Sequence, residues 1–143
     1  MSIVRFFVVI AVALGVTIGA TIGAATTEAD RDAIEATISG QIEAFRRDDG
    51  AAAFAYAAPR IRAQFGDPDT FMAMVRGGYA AVYRPQHLRF LALRMDGDEP
   101  TQEVLIIGPD GLPYFALYMM ERQADGGWRI GGVALVRAED QET

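Results

Sequence analysis

The sequence predicts an α+β domain: N-terminal helices packed on a curved antiparallel meander of four strands, or slightly more. Three observations carry this expectation. Before Pro85, apolar residues recur every three or four positions, the period of a half-buried helix. After Pro85 the texture turns to short apolar runs rich in branched and aromatic residues. Those runs are joined by "DGDEP", "GPDGLP" and "ADGG", connectors so short that neighbouring strands must run antiparallel.

The first 25 residues stand apart. One arginine, Arg5, precedes a dense apolar run from Phe6 to Val16, and no acidic residue appears until Glu28. Gly23 and Ala25 supply the small-x-small pattern of a cleavage point, so residues 1–25 read as a secretory signal peptide. The rival is an uncleaved anchor, since residues 6–27 as a helix would span about 33 Å, close to the hydrocarbon thickness. Either way the following domain is expected to be exported: periplasmic after cleavage, or held on the inner membrane with the domain outside the cytoplasm. The membrane is expected as a partner only through this segment.

The globular domain is expected over residues 26–137. Thr27 and Asp30 have capping-box spacing, and Ile34, Ile38, Ile42 and Phe45 follow as one apolar stripe. "RRDDG" ends that helix, and Asp48 or Asp49 can cap a second through "AAAFAYAA", which Pro59 is expected to stop. In "FGDPDTFMAMVRGG", Asp67 is an N-cap, Pro68 suits the first helical position and Gly77-Gly78 terminates the helix. Phe71, Met74 and Val75 form its apolar face and read as core.

Four strands follow: "HLRFLALRM", "QEVLIIG", "LPYFALYMMER" and "WRIGGVALVR". In the third, Tyr114, Ala116, Tyr118 and Met120 share one face, and Phe115, Leu117 and Met119 the other. Neither face is polar, although a sheet covered on one side alternates apolar with polar. Both faces are therefore expected to be covered, the second by a partner copy in a homodimer or by strong curvature of the sheet over its own helices. Residues 138–143 read as a polar, frayed tail.

Composition excludes several chemistries. The formal charge is −6, carried by the part after residue 25, with no basic run, so nucleic acid is not an expected partner. The chain has no Cys, Lys or Asn, which removes thiolate and Schiff-base catalysis, Cys-ligated zinc, a P-loop lysine and a glycosylation acceptor. Ser39, in "TISGQ", is no nucleophile elbow. The acidic clusters Asp48-Asp49, Asp67-Asp69 and Asp96-Asp98-Glu99 lack the spacing of a calcium loop and read as solvated turns. No metal and no cofactor are expected.

Residues 30–137 resemble an uncharacterised bacterial family, domain of unknown function 4864. The resemblance rests on Ala44-Phe45-Arg46, Phe65-Gly66, the stretch from Phe71 to Tyr79, Tyr83-Arg84-Pro85 and Gly127-Trp128-Arg129-Ile130. Where that family often carries a Cys after its Gly pair, this chain has Val133. The helices-then-meander order is also similar to the cone-shaped nuclear-transport-factor-2-like superfamily. The resemblance implies that fold and an exported setting, and it implies no activity.

In such a cone a pocket opens between helices and sheet. The one histidine, His87, with Tyr79 and Tyr83 would supply general acid–base chemistry there, and Tyr56, Tyr114, Tyr118 and Trp128 its walls. Each has a plainer reading: His87 as a polar strand start, the tyrosines as half-buried rings, Trp128 as a core anchor. Arg60 and Arg62 after the second helix, and Arg84, Arg89 and Arg94 near or on the first strand, could meet an anion at the cone mouth or pair with surface carboxylates. The expected function is non-enzymatic binding of a small ligand or an envelope protein. The alternatives are a small lyase or isomerase using His87 with a tyrosine, and a structural envelope protein whose pocket is filled by its own side chains.

Overall fold

The computed structural model describes residues 26–96 and 99–141. The expected signal peptide or anchor, residues 1–25, lies outside the described residues. Five helices precede a four-stranded antiparallel sheet of order β1-β2-β3-β4.

Helix α1 spans Glu28–Arg46 and opens on a complete capping box. Thr27 Oγ1 accepts the Asp30 amide at 3.1 Å, and the Asp30 carboxylate accepts the Thr27 amide at 3.1 Å. Its stripe of Ile34, Ile38, Ile42 and Phe45 is buried, each isoleucine contributing about 1.5–3 kcal/mol relative to exposure. Gln41 and Ala44 lie on the same buried face. The helix ends where Asp48 takes a left-handed φ of 52°. The Tyr83 hydroxyl donates to the Asp48 carboxylate, and Arg84 donates to it at 2.9 Å. The Arg84 guanidinium also stacks 4.1 Å from the centre of the Tyr83 ring. This clasp ties the end of α1 to α5.

Asp49 caps α2 (Gly50–Ala55). Pro59 does not end the helical region as expected. It occupies the first turn of a further helix, α3 (Pro59–Phe65), where its missing N–H costs nothing. The linker between α2 and α3 is stitched to the sheet edge: the Ala58 amide donates to the Ile130 carbonyl at 2.8 Å, and the Ile130 amide to the Tyr56 carbonyl at 2.9 Å. Helix α4 (Pro68–Gly78) is capped by Asp67 as its sequence predicts. A last short helix, α5 (Ala80–Tyr83), follows directly.

Strands β1 (His87–Asp96), β3 (Pro113–Arg122) and β4 (Trp128–Arg137) match their expected runs to within a residue, while β2 (Glu99–Ile107) begins three residues before its run, inside the expected turn. The face towards the helices carries Gln102, Val104, Ile106, Ala116, Tyr118, Met120 and Ile130, all buried. Two register shifts, at Phe90/Leu93 and Met119/Met120, bend the sheet. Gln102 fills the first, its amide donating to the carbonyls of Leu91 and Ala92 at 3.2 and 3.4 Å. The opposite face carries Leu105, Ile107, Phe115, Leu117 and Val136, all half-buried. The expected frayed tail is ordered over Ala138–Gln141, which form a 3₁₀ turn.

Candidate functional site

A cavity of about 560 Å³ lies between the helices and the sheet edge at β4. Its buried wall comes from Gln41 and Phe45 on α1, Phe71 and Val75 on α4, Val82 on α5 and Ile130 on β4. Ile61 and Phe65, one helical turn apart on α3, form another wall with Met74. Three ring contacts hold this side: Phe71 lies 6.2 Å from Phe45, 5.4 Å from Phe54 and 5.9 Å from Phe65, between centroids.

The mouth is polar. Arg60, Gln64 and Glu99 are exposed there, beside Met119. Arg60 Nη2 donates to the Gly131 carbonyl at 3.0 Å, which anchors the guanidinium against the Gly131-Gly132 pair of β4. The Met119 side chain lies across Gly132 and would have to shift to admit any side chain at that position. The arrangement is an apolar chamber with charge at its entrance, the ordinary form of a small-molecule site.

The residues singled out in the sequence are distributed differently. Tyr79 lines the cavity from the junction of α4 and α5. Tyr83 belongs to the Asp48 clasp. His87 is exposed and pairs in register with Ile107, whereas its neighbour Leu88 pairs with buried Ile106. Strand alternation therefore puts His87 on the sheet face turned away from the helices, apart from both tyrosines. Tyr56 packs its ring end against Gly40 of α1. Trp128 is a core residue beneath the Arg122 guanidinium, 4.6 Å from the ring centre.

Tyr118 is completely buried, and its hydroxyl has no partner among the described residues. Burial alone pushes its phenol far above the ordinary value. Tyr114 borders a second, smaller cavity of about 280 Å³ with Gly77, Gly78 and Arg137. Its hydroxyl donates to Asp110 Oδ2 at 2.6 Å, which holds the Asp110 carboxyl low and the Tyr114 phenol high. Among the described residues no group of three His, Cys, Asp or Glu side chains could hold a metal, and no helix is long and apolar enough to cross a membrane.

Sequence reasoning assigned Phe45, Phe71 and Val75 to the core, and Ile61 and Phe65 to no element. One mark of the site was visible. Gln41 lies three residues after Ile38 and four before Phe45, so a polar amide interrupts an apolar stripe.

Comparison with the curated proteins finds no match, and comparison with the solved structures finds none. The sequence model of one family matches residues 27–143, which include every residue of the cavity wall and mouth. The chain belongs to that family, described as Domain of unknown function (DUF4864).

Proposed function

We propose that this is a non-enzymatic, exported binding domain that takes a small, largely apolar ligand in the cavity between α1, α3, α4 and β4. The observation that carries the reading is the cavity itself. At about 560 Å³ it falls within the ordinary range for ligand sites, roughly 300–1,000 Å³. An open chamber of that size weighs against a pocket filled by its own side chains. The placement of His87 across the sheet from Tyr79 and Tyr83 weighs against the lyase or isomerase reading. Export rests on the composition of residues 1–25. The order of helices and then an antiparallel meander supports a cone of the nuclear-transport-factor-2-like kind.

The test is a titration with 2-naphthol, an apolar bicycle small enough for the chamber. The wild type should bind it saturably. Met74→Trp, which places a larger ring in the chamber from α4, should weaken binding tenfold or more. Equal affinity in the two proteins would refute the site.

The outer sheet face supports a homodimer as the assembly. Four strands about 4.8 Å apart and about 30 Å long give a footprint of roughly 600 Å², approaching the ~800 Å² per partner of a stable interface. A second copy would cover Leu105, Phe115 and Leu117 symmetrically.

A further inference from the structure

The cavity carries one polar group on its buried wall, and its hydrogen-bonding state names part of the ligand. Gln41 is 4 % exposed. Its Nε2 donates to the Ala53 carbonyl at 3.1 Å. That bond fixes the orientation of the amide, because the flipped form would set oxygen against oxygen. The Gln41 Oε1 accepts no hydrogen bond from the described residues. Among the described residues, the polar side-chain atoms that are both sealed and without a partner are Gln102 Oε1 and Tyr118 Oη. Gln41 Oε1 is not one of them, so the little surface Gln41 keeps includes this oxygen, and Gln41 is one of the residues that line the chamber.

Resting on the ligand-binding reading above, we infer that the site selects an apolar ligand bearing a neutral hydrogen-bond donor, a hydroxyl or an N–H, which Gln41 Oε1 receives. The inner wall offers an acceptor beside Phe45, Phe71, Val75 and Ile130. The carboxylate that lines the chamber, Glu99, is among the exposed groups at its mouth. A cation against Gln41 would therefore be desolvated without a counter-charge, and a carboxylate would meet the amide oxygen with like polarity. A ligand that is apolar at this point would leave the oxygen dry and unpaired, which costs more than one hydrogen bond returns. Gln41 is thus a specificity-determining residue, and its amide is held ready by the Ala53 contact.

The experiment uses two probes of matching shape, 2-naphthol and 2-methylnaphthalene, whose affinities are measured on the purified protein and on Gln41→Met. The ratio of the two affinities should favour 2-naphthol about tenfold more in the wild type than in the variant. The Ala53 carbonyl keeps the Tyr56 amide at 3.3 Å when Gln41 is replaced, so one backbone partner survives. A second measurement needs no variant: the side-chain carbonyl carbon of Gln41, followed by carbon NMR in the wild type, should shift with 2-naphthol and not with 2-methylnaphthalene. If both probes bind the wild type, an unchanged affinity ratio and an unmoved Gln41 carbonyl overturn the inference and leave the binding site standing. If neither probe binds the wild type, the binding site falls and the inference falls with it.

Discussion

Replacing Tyr118 by phenylalanine should make the protein more stable. Tyr118 sits at the centre of the inner sheet face, opposite Gln102 on β2 and Val133 on β4, with no exposed surface. Its ring packs as any core aromatic does, but its hydroxyl has left water without gaining a partner among the described residues. An unpaired buried hydroxyl costs about 1–3 kcal/mol. Phenylalanine keeps the ring and removes the cost, for an expected gain of about 1–2 kcal/mol. With a denaturant slope of about 1.5 kcal/mol per molar urea, the unfolding midpoint should rise by about 1 M. Tyr114→Phe is the control. Its hydroxyl is bonded to Asp110 and borders solvent, so its removal should leave the midpoint level or slightly lower. The alkaline limb adds a second reading of the same variant. The Tyr118 phenol titrates far above its unfolded value of about 10, so the folded state keeps a proton that the unfolded state releases. Its contribution is constant below pH about 10 and is lost as pH rises from there, and Tyr118→Phe should abolish that loss. A midpoint that falls in Tyr118→Phe would show that the hydroxyl is bonded and would refute the reasoning.

Other consequences follow from the same contacts. Thr27→Ala removes the side chain that accepts the Asp30 amide at the start of α1 and should cost about 1 kcal/mol in thermal unfolding. The Asp48 carboxyl is held below the usual carboxylate range, first by the Tyr83 hydroxyl and then by Arg84. Because the unfolded state binds that proton more readily, its contribution is present above pH about 4 and fades as pH falls through the folded value. Asp48→Asn, which tolerates the left-handed backbone, should lower stability at neutral pH and flatten the acid limb between pH 5 and 2. For the outer sheet face, sedimentation at tens of micromolar should find a dimer, and Leu117→Arg a monomer; a wild-type monomer would sink the dimer.

Much of the fold was legible because its determinants are local. The stripe Ile34, Ile38, Ile42, Phe45 and the Asp67-Pro68 cap lie within one or two turns of the backbone they organise. The four strands are set by short runs and by turns such as Pro109-Asp110-Gly111, where Gly111 takes a φ of 78°. Helices α3 and α5 were not legible. They have seven and four residues, too few to hold a helix without tertiary contacts, and Pro59 can end one helix or begin another. What decides between them is the bond from Ala58 to Ile130, 72 positions away. A pocket between helices and sheet was expected, but its lining was hidden for a related reason. Phe71 and Val75 satisfy the same periodicity whether they face a neighbour or a chamber, and the difference depends on where α3 sits. His87 attracted attention for its chemistry, while the alternation of β1 sets its face.

The central claim, that the chamber between helices and sheet takes a ligand, has a direct test in the methionine methyl groups. Six methionines are present in the chain. Met74 and Met119 line the chamber, Met72 and Met120 are buried without lining it, and Met95 is exposed on β1. With methyl-¹³C methionine and 2-naphthol as the probe, the Met74 and Met119 methyl resonances should shift together along one saturable curve, while Met72, Met120 and Met95 hold still. Saturation that moves Met95 instead, or no movement of Met74 and Met119 up to the solubility of the probe, would contradict the account.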